Sequence, residues 1–286
     1  MNAPRMEVIK QYYDERIDRK ILDFTNANPR IEAALETLAE WAPPNPRRVL
    51  EIGCGIGSTT WRMARAWPQA EVIGSDISPV SVDVARTCFQ LPNLSYHVGL
   101  LEQGSLDGVF DLIVMMDVYE HVALQERARL HAAIKSMLSD VSRIVFSIPT
   151  PLFQQTMRVS SPEDLQPVDE DVTIEHIVQL AADTDTHVLY FRELGVWQYG
   201  DYAHFVLGRY THLKAVALRE FRPAGFAGFK HRVNRLLRRA SSPEAARDYL
   251  GMDLLRRRQR RPERAFYISA GERRRLAASW SARKFS

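Results

Sequence analysis

The sequence predicts an α/β chain with a mostly parallel sheet, helices on both faces and an antiparallel hairpin at one edge. Three observations predict it. Between residues 48 and 148, short apolar runs alternate with stretches of helical periodicity, which argues for a parallel sheet covered on both sides. The run Val49-Leu50-Glu51-Ile52 leads into Gly53, Gly55 and Gly57 and then into Ser58-Thr59-Thr60, the pattern of a strand, a glycine turn and a helix start. Further on, two β-like runs, 187–194 and 202–208, are joined by the short Gly195–Gly200 segment, as in a hairpin.

Taken in order, residues 6–22 and 30–41 read as helices. In the second, Ile31, Ala34, Leu35, Leu38 and Trp41 recur at helical spacing, and Asn28-Pro29 marks the start. Pro43-Pro44-Asn45-Pro46 ends it and leads into strand 48–52. Helix 58–67, strand 70–75, helix 78–90 and strand 94–98 follow. Phe110 to Met116 is an almost continuous apolar run, as expected of a strand buried on both faces. Helix 123–138 and strand 142–148 come next. Residues 152–172 read as an acidic loop, and Thr173 as the N-cap of helix 174–183. After the hairpin, residues 226–286 read as three basic helices, with Ser242-Pro243-Glu244 and Ser269 to Glu272 as N-terminal caps. The fold class is thus Rossmann-like with extra C-terminal helices. The expected domains are N-terminal helices at 1–45, the α/β domain at 46–210 and a basic helical extension at 222–286.

Composition narrows the function classes. With 45% hydrophobic and 26% charged residues, 286 residues suit one large globular domain with additions. There is no run of about 18 apolar residues of the kind a membrane-spanning helix needs. Met1 to Lys10 lacks an apolar signal core, so a cytoplasmic address is expected. Cys54 and Cys88 cannot make a disulfide framework. The net charge of +3 conceals an asymmetry: residues 222–286 hold 18 Lys and Arg against 5 Asp and Glu, the rest 20 against 30. Phe226, Phe229, Val233, Leu236 and Leu237 share one helix face, and Lys230, Arg232, Arg235, Arg238 and Arg239 another. Arg256 to Arg261 adds a second basic cluster. Such helices either dock on the acidic body or make peripheral contact with an anionic membrane. Aromatics are too sparse among the arginines for a nucleic-acid stacking platform.

The glycine turn carries the chemistry. Glycine reaches positive φ and lets a ligand approach bare backbone. A turn between strand and helix then presents main-chain N–H groups and a positive helix end. Asp76 ends the next strand nineteen positions after Gly57, close to the roughly 20-residue offset of a carboxylate that takes ribose hydroxyls. A nucleoside-containing cofactor follows.

Glu51-x-Gly53-x-Gly55-x-Gly57 resembles the first motif of class I S-adenosylmethionine-dependent methyltransferases, and the likeness extends over roughly residues 30–208. Asp76 in Gly-Ser-Asp-Ile, the run Phe110 to Val122 and Ser147-Ile-Pro-Thr150 also match. The dinucleotide fingerprint differs: its third glycine comes three residues after the second, and it lacks the leading acid. The resemblance implies S-adenosyl-L-methionine as cofactor and S-adenosyl-L-homocysteine as product. It places Gly53, Cys54, Gly55 and Gly57 along the methionine part, Asp76 on the ribose hydroxyls, Ile77 against the adenine and Asp117 near the methionyl amine. Glu51 is expected to order the turn. Where many members carry an aspartate for the adenine amine, this chain has Val98-Gly99-Leu100-Leu101-Glu102, so Leu101 and Glu102 are expected to line that end. The N-terminal helices are expected to form a lid, with Tyr13 or Arg30 meeting the methionine carboxylate.

Glu120-His121 falls where the fourth strand ends. A hydroxyl acceptor needs a base, and histidine titrates near neutral pH, so His121 with Glu120 forms the expected catalytic pair. Capping the next helix is the competing role. A metal reading also exists: Asp117-x-x-Glu120-His121 resembles the Glu-x-x-Glu-His cluster of small-RNA 3′-terminal 2′-O-methyltransferases, with His176 as the further ligand. The reading adopted has no metal ligands. Tyr202 and His204, with Trp197 and Tyr199, make an aromatic-polar cluster suited to a sugar ring. The stretches around 166–170 and 200–204 are loosely similar to sugar- and polysaccharide-modifying methyltransferases. The expected function is O-methylation of a hydroxyl on a sugar, a glycan or another small molecule. The alternatives are a metal-assisted RNA 2′-O-methyltransferase and a non-catalytic S-adenosylmethionine-binding protein.

Overall fold

In the computed structural model, which describes residues 3–209 and 265–284, three helices precede the sheet: α1 (Ala3–Asp14), α2 (Ile17–Thr25) and α3 (Pro29–Trp41). The single helix expected over 6–22 is therefore two. Packing explains the break. Ile9 of α1 is buried with Ala123 and Val168, whereas Ile17 and Phe24 of α2 are buried against Trp61 and Phe89. One straight helix cannot serve both clusters. The start of α3 is as read: Asn28 accepts the N–H of Arg30 at 3.1 Å, and Pro29 occupies the first helical position.

The sheet comprises β1 (Arg48–Ile52), β2 (Glu71–Asp76), β3 (Leu94–Val98), β4 (Phe110–Met116), β5 (Leu138–Pro149), β6 (His187–Leu194) and β7 (Tyr202–Gly208). Their order is β3-β2-β1-β4-β5-β7-β6. The first five run parallel, and β7 lies antiparallel between β5 and β6. Helices α4 (Ser58–Ala66), α5 (Pro79–Cys88), α6 (Arg127–Ser136) and α8 (Ile174–Asp183) are close to the expected spans. Residues 119–126, partly read as the start of the helix before β5, instead form two 3₁₀ turns.

The core has two layers. Leu35 and Leu38 of α3 and Met63 of α4 cover Val49, Leu112 and Val114 on one face. Ile134 of α6 and Ile177 and Leu180 of α8 cover Leu50, Ile113 and Met115 on the other. Burial of alternate residues on opposite faces is why β4 is apolar apart from Asp111, and each buried apolar side chain contributes about 1.5–3 kcal/mol. The parallel strands carry Gly53, Asp76 and Asp117 to one end of the sheet, where a crevice opens.

One further span differs from expectation, and another is as read. The acidic loop contains α7 (Pro151–Ser160), in which Thr150 Oγ1 accepts the N–H of Phe153 at 3.3 Å. Only Gln154 of α7 is buried, so no apolar stripe announces it. At the other end of the chain, α9 (Ala270–Lys284) starts at Ser269, whose hydroxyl accepts the N–H of Glu272 at 3.2 Å. Phe266 and Ile268 are buried, and residues 265–284 belong to the same compact unit as 3–209. The segments 226–239 and 256–261, on which the expected membrane contact rests, lie outside the described residues. Among the described residues no helix is long and apolar enough to cross a membrane.

Candidate active site

The turn after β1 is held by its own chain. The N–H groups of Gly53 and Cys54 both donate to the Ser75 carbonyl, at 2.7 and 3.0 Å. The N–H of Gly55 donates to Asp76 Oδ2 at 2.7 Å, and Asp76 Oδ1 accepts the N–H of Ser78 at 2.9 Å. Gly53 has φ +72°, and a Cβ there would stand 2.4 Å from Val118 Cγ2, so only glycine lets the turn close against the β4 exit. Gly57, at φ +82°, is the left-handed cap of α4 and packs on Ala85 and Tyr96. Beneath the turn Glu51 is buried, and the Thr60 hydroxyl donates to its Oε2. Burial pushes the Glu51 carboxyl up to about 8; the Thr60 bond holds it back and the charge of Asp76 adds to it.

A cavity of about 290 Å³ lies above this turn. Gly53, Cys54, Gly55, Asp76, Ile77 and Leu101 line it, with Asp117 and His121 on the β4 side. The N-terminal helices contribute Ile9, Tyr13, Lys20 and Arg30.

On the β4 side Asp117 has φ +55°. Its Oδ1 accepts the Ser147 hydroxyl at 2.8 Å, and its Oδ2 lies 3.0 Å from Arg30 Nε. That contact is an ion pair out of hydrogen-bond alignment, since neither atom has a hydrogen-bond partner. Arg30 also donates to the buried Tyr202 hydroxyl at 3.4 Å, so Tyr202 props the guanidinium from behind.

His121 is fixed on one nitrogen. Its Nδ1 is 2.9 Å from the Val168 carbonyl and 2.9 Å from Asp169 Oδ1. Both are acceptors, so Nδ1 carries the proton and Nε2 is the nitrogen left for other work. Glu120 Oε1 is 3.5 Å from Nε2, and Glu120 Oε2 is buried without a partner. Burial works against a charged His121, yet Glu120 and Asp169 outweigh it and raise the imidazole to about 9. Burial also raises Glu120, to about 8. The two directions oppose each other, because a neutral Glu120 removes charge that holds the His121 proton. The imidazolium is the side that stands, since Asp169 faces Nδ1 whatever the state of Glu120. The supporting loop is itself tied down: the Glu170 N–H donates to the Glu120 carbonyl at 2.9 Å, Asp169 Oδ2 accepts the Gln166 N–H at 2.7 Å, and Gln166 Oε1 accepts the Tyr13 hydroxyl at 2.7 Å.

Residues 49–140 match the family described as "Methyltransferase domain". The matched segment is thus similar to class I S-adenosylmethionine-dependent methyltransferases. It is 30% identical over 130 residues to a trans-aconitate 2-methyltransferase of Methylobacterium radiotolerans, covering 46% of this chain and 48% of that protein. It is 28% identical over 154 residues to a mitochondrial ubiquinone biosynthesis O-methyltransferase of Schizosaccharomyces pombe, covering 49% and 54%. The chain thus spans about half the length of the curated relatives it matches. In fold it is similar to the DhpI–SAH complex, with a TM-score of 0.57 at 16% identity over 74% of this chain and 100% of that one.

Several expected site positions fall elsewhere in the structure. Glu102 is exposed and outside the cavity, its N–H on the Ser105 hydroxyl at 2.9 Å, while the apolar Leu101 turns inward. Gly57 caps a helix rather than lining the cavity. His204 is in the core: its Nδ1 is 2.8 Å from Thr37 Oγ1, and burial pulls it down to about 4, a neutral packed imidazole. Trp197 and Tyr199 are exposed, and neither they nor Tyr202 and His204 line the cavity, so the expected sugar platform is not assembled there. His176 accepts the Thr173 N–H at 3.1 Å as part of the α8 capping box. Among the described residues no three His, Cys, Asp or Glu side chains converge as a metal-ligand group.

Sequence reasoning missed Lys20 and Asp169. Lys20 comes from the expected helix 6–22, of which only Tyr13 is expected at the site; its amine donates to the Ser81 hydroxyl at 3.2 Å and lies over the Tyr13 ring. Burial pulls its amine below the usual lysine range, while Asp76 and other nearby groups oppose the shift. Asp169 sits in a segment noted for likeness alone. Its position one residue after the buried Val168 is visible only once the loop is folded back on Glu120.

Proposed function

We propose that the chain is an S-adenosylmethionine-dependent O-methyltransferase whose acceptor is a hydroxyl of a small molecule, sugar and glycan hydroxyls included. The cavity suits the cofactor. Gly53 and Gly55 leave bare backbone along it, and both oxygens of Asp76 retain a lone pair for ribose hydroxyls after accepting one N–H each. Asp117 Oδ2, buried without an aligned donor, matches an α-ammonium, and Arg30 beside it matches a carboxylate. Bound there, S-adenosylmethionine supplies a methyl group on a positively charged sulfur.

The observation that carries the acceptor class is His121. Its Nδ1–H is fixed by Val168 and Asp169, so once the imidazolium has released its other proton, Nε2 is the nitrogen that takes a proton at the cavity wall, with Glu120 Oε1 3.5 Å away. A hydroxyl needs such a base; a carboxylate acceptor does not. The ubiquinone-pathway relative is named an O-methyltransferase, which supports transfer to oxygen. Orientation and exclusion of water supply the rest, up to roughly 7–11 kcal/mol in favourable cases. Tyr13, Ile9 and Val122 line the cavity and serve that exclusion.

Calorimetry of the full chain with S-adenosylmethionine tests the cofactor, and absence of binding by a folded sample would refute it. A radiolabelled methyl-transfer screen over sugar, phenol and carboxylic acid acceptors then tests the acceptor. Turnover on hydroxyls that is abolished in His121→Ala supports the reading. Turnover confined to carboxylic acids, and retained in His121→Ala, would replace it.

A further inference from the structure

We infer that Arg273, on the last described helix, is a positioning residue for the cofactor cavity, acting through α2 and α3. This rests on reading the cavity as an S-adenosylmethionine site. Arg273 is 4% exposed and touches no cavity residue that the structure records. Its Nη1 donates to the Phe24 carbonyl, in the last turn of α2, at 3.0 Å. Its Nη2 donates to Glu32 Oε1, in the first turn of α3, at 2.9 Å. One guanidinium thus clamps the end of one lid helix to the start of the next.

What those helices carry gives the clamp its meaning. Lys20 stands one turn before Phe24, and Arg30 two residues before Glu32, and both line the cavity. The other side of Glu32 is anchored to the cradle itself. Arg62 of α4, the helix that opens at the glycine turn, gives Glu32 two hydrogen bonds, at 2.7 and 2.8 Å, and its Nε donates to the Phe266 carbonyl at 2.6 Å. A planar guanidinium with several donors suits such a junction, where an ammonium would make only part of it. The hinge at 26–28 between α2 and α3 contains Ala27 at φ +57°, a non-glycine left-handed residue that needs its surroundings to hold it. Without Arg273 the hinge keeps only local bonds such as Ala27 N–H to Phe24 O and Asn28 N–H to Asp23 O. Arg30 would then lose its fixed approach to Asp117.

Fold survival is expected on removal of Arg273. Glu32 keeps both bonds from Arg62, so no buried carboxylate is stranded, and the Phe24 carbonyl keeps the Ala27 N–H. Arg273→Met retains the apolar stem, and Arg273→Lys retains the charge.

The full chain and both variants are titrated by calorimetry with S-adenosylhomocysteine and with 5′-methylthioadenosine, which lacks the amino-acid part. Arg273→Met is expected to weaken S-adenosylhomocysteine about 5- to 30-fold, the upper part of the roughly 2- to 30-fold range for residues that act through others, and to leave methylthioadenosine within about twofold. Arg273→Lys is expected to recover part of the loss. Amide exchange of the ligand-free Arg273→Met chain should quicken in α2 and α3 and stay slow in β4 and β5. Unchanged binding, or equal loss of both ligands, overturns the inference. A wild-type chain that binds neither ligand overturns the cofactor reading, and this inference with it.

Discussion

At the β1–β2 wall of the cavity most shaping donors and acceptors are taken by the chain itself, Gly53 and Cys54 on Ser75, Gly55 on Asp76 and Thr60 on Glu51, the exception being Ser75 Oγ, which is buried without a hydrogen-bond partner. At the β4 wall, Asp117 Oδ2 and Arg30 Nε are buried without hydrogen-bond partners, as is Glu120 Oε2 beside His121. Each such group costs about 1–3 kcal/mol if nothing ever satisfies it. A completed wall is a mould that fixes where a ligand sits. A wall with unmatched polar atoms is where a charged or reacting group is met. The contrast separates binding from chemistry along one crevice, and substitutions on the two walls should fail in different ways.

The largest effect is expected at His121. His121→Ala should lower kcat about 10²- to 10⁴-fold, the usual contribution of a positioned base, and leave S-adenosylhomocysteine affinity within a few-fold. Gly53→Ala should do the reverse. Its Cβ would stand 2.4 Å from Val118 Cγ2 at φ +72°, which costs on the order of 1–3 kcal/mol of strain and pushes the turn off the cavity. Calorimetry and steady-state kinetics on the two variants give four numbers. If Gly53→Ala lost only kcat, or His121→Ala lost only affinity, the division between the walls would be wrong.

The two walls also differed in how far the sequence disclosed them. The β1–β2 wall is local: Glu51, three glycines and the start of α4 lie within twelve residues, and the β-alternation places Asp76 at the next strand end. Short-range patterning was enough. The partner of His121 lies 47 residues away in a loop with no periodicity, and that of Asp117 lies in α3, before the sheet begins. Such contacts come from tertiary packing, which composition and spacing do not encode. The same limit explains His204. A histidine among aromatics in a hairpin reads as a binding group, but β7 is an inner strand, so its side chain meets Thr37 of α3. Helix α7, held by its caps rather than a buried face, was illegible for the opposite reason.

A smaller effect follows from Asp169→Asn. The group that matters is the neutral His121 imidazole, so activity should rise with pH through about 9 in the wild type. Asp169 faces His121 Nδ1 at 2.9 Å and helps to hold its proton. Removing that charge lowers the His121 pKa, so the rising limb should move to lower pH, while kcat on the plateau falls as the imidazole loses its fixed orientation. A pH–rate profile whose limb stays in place would show that Asp169 is only a loop contact.

The smallest effect is on the completed wall, at Glu51. Burial is the main reason its carboxyl sits at about 8 rather than near its ordinary value. A carboxyl raised in the folded state contributes stability that is fully present below its unfolded pKa and is lost as pH rises through the folded one. For Glu51 that window runs from about 4.5 to about 8. Glutamine does not titrate, and its side-chain oxygen still accepts the Thr60 hydroxyl. Glu51→Gln should therefore match the wild type in Tm near pH 5 and exceed it by several degrees or more at pH 8 to 9, since each pKa unit is worth about 1.4 kcal/mol and about 1 kcal/mol moves a domain of this size by roughly 2–4 °C. The sign is informative. A gap that stays constant with pH would mean that Glu51 holds no proton in the fold, and that a charge buried under the turn is balanced by groups other than Thr60. The β1–β2 wall would then be as electrostatically open as the β4 wall.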